Sequence, residues 1–272
     1  MDVMLSAAKH PDTPIIDVQD LTFGYRDQPP IFDHFTWQVQ QGEAWAVIGP
    51  SGSGKSTLLY LIEGLTRPTA GVITVAGDSV PRKKERGKTG LVLQDYGLLP
   101  WATVWANVML GVRIRRFYNQ EADVRHAEER AAFWLERVGL ADQRDKYPGQ
   151  LSGGQRQRAA LARTLAIDPD VLLLDEPFSA LDALTREDMQ RLTRDLRAET
   201  GITMILVTHS IEEAVYLGNP ILVLGNPPTR APHVIANPGM GRPGYRGAAD
   251  FLAKTVELRA ALGAPEADRA VA

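Results

Sequence analysis

Gly49-Pro50-Ser51-Gly52-Ser53-Gly54-Lys55-Ser56 fits the pattern glycine, four residues, glycine-lysine-serine. The apolar run Ala44 to Ile48 leads straight into it, and Lys55 to Leu65 reads as a helix, so the order is strand, loop, helix. That order is the context a phosphate-binding loop requires, and an ordinary glycine turn is the competing reading. Glycines let main-chain N–H groups converge on phosphate oxygens, and the helix behind them turns its partially positive N-terminus to the same point. Lys55 can then reach the β- and γ-phosphates, and Ser56 can coordinate magnesium.

Two later stretches extend the same chemistry. Val171 to Leu174 is a continuous apolar strand of the kind buried on both faces of a parallel sheet, and Asp175 and Glu176 end it. Strand ends are where open parallel sheets place ligand groups. Asp175 would hold magnesium, directly or through water, and Glu176 would orient and deprotonate an attacking water. Alone, such a pair is more often a turn cap, and the phosphate loop in the same chain reverses that reading. In Leu151-Ser152-Gly153-Gly154-Gln155, Ser152 and Gln155 form a capping-box pattern, so a helix with a positive N-terminal end starts there. His209 follows the strand Thr203 to Val207 and precedes Ser210, which with Glu213 makes a second such pattern.

Working outward, Val18, Leu21 and Phe23 suggest a strand, as do Phe35 to Val39, Val72 to Val75, Gly90 to Leu93 and Ile221 to Leu224. From Thr103 to Leu165 helical patterns replace the β-branched runs. Phe133, Trp134, Val138 and Leu140 give an apolar face to a helix over Ala122 to Val138, with Arg125, Glu128, Glu129 and Arg130 opposite. The fold expected is α/β: a phosphate-loop core with a parallel sheet, a small antiparallel β portion and an inserted helical subdomain.

The expected boundaries are a flexible tail over 1–14, a main domain over 15–225 with its helical subdomain at about 95–160, and an extension over 226–272. Asn226-Pro227-Pro228, Pro232, Pro238-Gly239 and Pro243-Gly244 mark that extension as an extended connection rather than a sheet. A short helix follows, lined by Phe251, Thr255, Leu258 and Leu262 and stopped by Gly263 and Pro265. It is too short for a regulatory domain of ordinary size, about 100 residues.

The 30 basic residues nearly balance 33 acidic ones, so no global field recruits nucleic acid or anionic lipid. Arg82-Lys83-Lys84 with Arg86 and Lys88 reads as a solvated hairpin loop, and Arg113, Arg115 and Arg116 as a solvated face. There is no cysteine, which excludes disulfides and thiolate chemistry and fits a reducing compartment. No segment approaches the ~18 to 20 apolar residues that cross a bilayer, and Met1 to Pro14 lacks the apolar run of a secretory signal.

The three motifs, in this order and with Arg156, Gln157 and Arg158 after the second, resemble the ATP-binding-cassette (ABC) ATPases, over about residues 15 to 225. The resemblance implies ATP and Mg2+ as cofactors. The loop Gly49 to Ser56 with Thr57 would bind the phosphates, Ser152 and Gly154 would bind the γ-phosphate of ATP held by a second copy, and Gly153 and Gln155 beside them would belong to the same nucleotide-binding stretch. A two-fold homodimer with two ATP molecules in its interface follows. Tyr25 matches the aromatic that stacks on adenine, its alternative being a half-buried strand-end tyrosine. Gln94 matches the glutamine that contacts magnesium or the attacking water. Asp182, in Ser179-Ala180-Leu181-Asp182, matches the loop by which two subunits sense each other and is also a candidate helix cap. His209 matches the histidine that grips the γ-phosphate.

Gln94-Asp95-Tyr96-Gly97-Leu98-Leu99-Pro100-Trp101, followed by Thr103 and Asn107, looks like the nitrate, sulfonate and taurine branch of bacterial ABC importers. There this region lies beside the groove that receives the permease's cytoplasmic helix, core filling being the alternative. The branch implies a motor subunit peripheral to the cytoplasmic face of the inner membrane, with permease partners, an indirect substrate-binding protein and no nucleic acid. The rival class is a soluble ABC protein of DNA repair or translation. Such proteins carry paired cassettes, coiled-coil arms or cysteine-zinc inserts, for which about 95 residues between the phosphate loop and the stretch Leu151 to Gln155, which matches the family's signature, leave no room. A GTPase would need an Asn-Lys-x-Asp motif, which the chain lacks.

Overall fold

The computed structural model describes residues 13–81, 89–118 and 124–263. The strands are β1 (Ile16–Phe23), β2 (Phe32–Val39), β3 (Ala44–Ile48), β4 (Ala70–Val75), β5 (Asp78–Ser79), β6 (Thr89–Val92), β7 (Val171–Asp175), β8 (Thr203–Thr208), β9 (Ile221–Val223) and β10 (His233–Ile235). The helices are α1 (Lys55–Glu63), α2 (Val104–Val108), α3 (Leu110–Tyr118), α4 (Val124–Arg137), α5 (Gly153–Ala166), α6 (Ala183–Thr200), α7 (Ile211–Leu217) and α8 (Ala249–Gly263). They fall into two compact units, one from described residues 13–81 and 195–263, the other from 89–118 and 124–194.

In the first unit an antiparallel sheet runs β2-β1-β4-β5. Apolar positions in β1 fall at Ile16, Val18, Leu21 and Phe23, one residue out of strict alternation. A bulge absorbs the extra residue: the β1–β2 register shifts between Val18 and Leu21, where Asp20 takes φ 53° and donates its N–H to Thr36 Oγ1 at 3.1 Å. All four apolar side chains therefore reach the core. The second sheet of this unit is ordered β10-β9-β3-β8, with β3 parallel to both β8 and β9. Every residue of β3 and β8 is buried, as expected of central parallel strands. Trp37 of β2 meets Trp45 of β3 edge to face at 5.1 Å, a contact worth about 0.5 to 1.5 kcal/mol beyond burial.

The extension does more than connect. It adds β10 antiparallel to β9, correcting the expectation of no sheet, because three alternating residues satisfy an edge strand whatever the prolines around them do. Thr229 also exchanges main-chain hydrogen bonds with Ile31 and Asp33. α8 lies against α7 and buries Phe251, Thr255 and Leu258. α1 stops two residues short of the expected Leu65, because Gly64 turns left-handed (φ 81°) and leaves Leu65 exposed.

In the second unit β6 and β7 are parallel, and α5 lies against α2, α3 and α4. The buried stripe of α4 is Ala127, Ala131 and Leu135, continued by Val138. Phe133, expected on the apolar face, is exposed and packs edge to face on Trp134 instead, because a residue two positions after Ala131 points about 200° away from it. The run Arg82 to Lys88, the tail up to residue 12, Ala122 and Pro265 lie outside the described residues.

Candidate nucleotide site

The phosphate loop leaves the end of β3 as a turn that only glycine fits at two points. A Cβ on Gly49 would stand 2.7 Å from both Leu224 O and Ser53 Oγ. Gly54, the N-cap of α1, has φ 94°, and a Cβ there would stand 2.3 Å from Ile31 Cγ2. The loop can thus close around an anion with bare backbone. Lys55 Nζ donates to Gly49 O (3.0 Å) and Pro50 O (2.9 Å), so its ammonium lies inside the loop rather than in solvent. Ser53 Oγ is buried and has no hydrogen-bond partner among the described residues. A cradle that a Cβ would fill, a lysine held across it and an orphan hydroxyl suit a polyphosphate.

Two other candidates belong to this unit. Tyr25 is 45% exposed; it packs edge to face on Phe23 and its hydroxyl is 3.2 Å from Thr57 Oγ1, beside the start of α1. Ile48 pairs in parallel register with Thr208, so Gly49 and the exposed His209 leave neighbouring strands at the same end. Ser210 caps α7 by accepting from Glu213 N at 3.3 Å. The second half of the expected capping box does not form. Glu213, buried, accepts instead from Thr208 Oγ1, and the same oxygen accepts from Ser210 N at 3.0 Å. That network ties the backbone on both sides of His209.

The remaining candidates are in the second unit. Val92 pairs with Leu174, which brings Gln94 and the pair Asp175-Glu176 to one end of β6 and β7. Asp175 is buried, Gln94 is exposed, and Glu176 is half-buried with φ 44°, a left-handed conformation unfavourable for a side chain with a Cβ. Its carbonyl accepts from Ser179 N (3.3 Å) and Ser179 Oγ (2.9 Å), which hold the turn after β7. Here an outlier sits on the residue proposed to handle the water, where backbone strain concentrates.

The signature forms both halves of its capping box: Ser152 Oγ accepts from Gln155 N (3.2 Å) and Gln155 Oε1 from Ser152 N (2.9 Å). A Cβ on Gly154 would stand 2.4 Å from Thr185 Cγ2, so the start of α5 packs against the start of α6. Asp182 caps α6 by accepting from Thr185 N at 3.0 Å, and that hydrogen bond holds its carboxyl below the usual aspartate value. Ser56, Gln94 and Asp175 offer oxygen donors only, which suits a hard cation such as magnesium.

Three features were not visible in the motifs. Asn107, fully buried, accepts from Leu99 N (2.7 Å) and donates to Leu99 O, Ala102 O and Thr103 O at 3.0 to 3.1 Å. One side chain thus fixes the loop in which Trp101 stands 74% exposed. Arg163 acts on Tyr96 and Gly97 from far along the sequence and carries no local pattern, and Glu213, visible only as a cap partner, bonds Thr208 instead.

The sequence profile described as "ABC transporter" matches residues 32–179, over half of the chain. The chain belongs to the ABC transporter family. This ABC ATPase is 44% identical over 214 residues to the taurine import ATP-binding protein TauB of Yersinia pestis bv. Antiqua (strain Antiqua), covering 79% of this chain and 81% of that one. It is 42% identical over 247 residues to the aliphatic sulfonates import ATP-binding protein SsuB 1 of Rhodococcus jostii (strain RHA1), covering 89% and 91%. Among solved structures it resembles the ATP-binding cassette MJ0796, a dimer in a post-hydrolysis state bound to ADP and phosphate, with TM-score 0.69 and 30% identity over 81% of this chain and 98% of that one. ABC ATPases bind ATP, and the expected α/β fold is the one observed. No helix among the described residues is long and apolar enough to cross a membrane.

Proposed function

We propose that this chain is the ATP-hydrolysing motor subunit of a bacterial importer, with residues 15–225 as its ATPase domain. The observation that carries the reading is the exposed Ser152 at the N-terminus of α5. It is a second anion-binding helix end in a chain whose own phosphate loop already uses that of α1, so it suits a nucleotide held by another copy. The dimeric structure of the MJ0796 cassette, with ADP and phosphate bound, supports a dimer for this chain, and a head-to-tail homodimer is the arrangement that would bring Ser152 to the other copy's nucleotide.

Within each composite site, Tyr25 would stack on adenine, and Lys55 with the first-turn amides of α1 would hold the polyphosphate. Ser152 and Gly154 of the other copy would close on its γ-phosphate. Ser56, Asp175 and Gln94 would hold magnesium, which when bound offsets charge on the β- and γ-phosphate oxygens. Glu176 would orient the attacking water and take its proton, with His209 gripping the γ-phosphate. Once hydrolysis removes the group that both copies grip, the interface loses affinity and opens. Leu98, Leu99 and Trp101, held by Asn107, would pass that motion to the cytoplasmic helix of a permease at the inner membrane. The relatives named for taurine and aliphatic sulfonates support a small sulfonate or similar anion as cargo, delivered by a substrate-binding protein.

A mixed dimer tests the composite site. Pairing a Ser152→Arg chain with a Lys55→Ala chain should restore one working site, built from Lys55 of the first and Ser152 of the second, while either homodimer is inactive. Full hydrolysis by a monomer, or by the Ser152→Arg homodimer, would overturn the proposal.

A further inference from the structure

Directly after Gln94, in the second unit, Tyr96 and Gly97 both stand at positive φ, 66° and 55°. Their successive carbonyls are gripped by one side chain. Arg163 of α5 donates from Nη2 to Tyr96 O at 2.8 Å and from Nη1 to Gly97 O at 2.5 Å. Its guanidinium is removed from water, which lowers its pKa, with Asp95 acting in the opposite direction. The tyrosine ring reaches toward the start of the same helix. It is buried, its hydroxyl has no hydrogen-bond partner among the described residues, and a Cβ on Gly153 would stand 3.9 Å from that oxygen. Gly153 and Arg163 are separated along α5 by about 15 Å at 1.5 Å per residue, so Tyr96 lies along the helix, its carbonyl held by Arg163 and its ring ending near Gly153.

Tyr96 therefore carries two local penalties, a left-handed backbone with a Cβ and a buried phenol oxygen left unpaired. Such outliers persist where the surroundings over-determine them, and they mark positions retained for what they hold in place. We propose that Tyr96 and Arg163 form a strut that fixes the loop after Gln94 to the signature helix, so that displacement of Leu98, Leu99 and Trp101 is delivered to Ser152 and Gly154. Both are positioning residues. The idea rests on the composite-site reading above.

Two measurements on the full-length chain test it. In Arg163→Lys, whose ammonium is a single point charge without the fork that spans two carbonyls, hydrogen exchange of amides across 94–101 should accelerate about tenfold, with 49–57 unchanged. Tyr96→Ala should do the same, and Tyr96→Phe, which keeps the ring, should not. In the copurified transporter, Arg163→Lys and Tyr96→Ala should lower permease-stimulated kcat about tenfold with KM for ATP within about twofold, and Tyr96→Phe should match wild type. Unchanged exchange at 94–101, or faster exchange with wild-type kcat, overturns the strut. If the wild-type subunit shows no stimulation by the permease, the importer reading fails and takes the coupling with it, while the exchange result still decides the strut.

Discussion

Replacing Asn237 by alanine isolates what the proline-rich extension contributes. Its side chain is fully buried; Nδ2 donates to Val215 O (2.7 Å) and Gly218 O (2.8 Å), and Oδ1 accepts from the Tyr245 hydroxyl. Val215 and Gly218 lie at the C-terminal end of α7, where carbonyls run out of intrahelical donors, so Asn237 caps that helix from about twenty residues away. Alanine would strand two carbonyls and one hydroxyl in the interior, at about 1 to 3 kcal/mol each. Because the vacated volume can admit a water, the low end applies, giving ~3 kcal/mol. An unfolding entropy of about 2.1 cal/mol/K per residue is roughly 0.6 kcal/mol/K for 272 residues, so Tm should fall about 5 °C. Tyr245→Phe strands only the amide oxygen and should lower Tm about 2 °C. Thermal unfolding followed by circular dichroism measures both. A shift below about 1 °C for Asn237→Ala, or a larger one for Tyr245→Phe, would refute the capping argument.

Other outcomes follow from the site. Glu176→Gln should cut ATP turnover in the reconstituted transporter by ~10² to 10⁴ while ATP binding survives, whereas Lys55→Ala should weaken binding itself; near-normal turnover in Glu176→Gln would remove Glu176 as the base. Trp101→Ala should lose about 2 kcal/mol or more of permease affinity with ATP affinity of the isolated subunit unchanged, and a crosslinker on Trp101→Cys that labels only the subunit's own core would defeat the docking claim. The His34 ring nitrogen lies 2.7 Å from Asp20 Oδ1, and that hydrogen bond, then the charges of Asp20 and Asp33, raise its pKa above 6.5. Because the folded value is the higher one, the stability it adds is full below pH 6.5 and disappears as pH rises through the folded value. In Asp20→Asn the ring protons should titrate nearer 6.5 by NMR, and an unchanged titration would contradict the assignment.

The site's chemistry was legible wherever it is local. Lys55 and its glycines, the strand ending in Asp175-Glu176 and the reciprocal bonds of Ser152 and Gln155 all involve residues within a few positions of each other, so spacing alone specifies them. The parallel core was legible for a similar reason, since strands buried on both faces must be apolar throughout. Side-chain direction was harder to read. Phe133 and Trp134 looked like a core face by composition, but the stripe that α4 buries is set by which small residues let a neighbouring helix approach.

What the chain by itself determined was the list of candidate groups for gripping a phosphate, holding magnesium and activating water, together with the helix starts that stand beside them. Only the tertiary structure decided their company. Register pairs Ile48 with Thr208 and Val92 with Leu174, residues far apart in sequence whose adjacency depends on the whole sheet. The bulge at Asp20, the addition of β10, the cap from Asn237 and the grip of Arg163 on Tyr96 arise in the same way. Each satisfies a backbone group or an alternation error created elsewhere in the fold, so its partner is chosen by packing and leaves no pattern in the neighbouring residues.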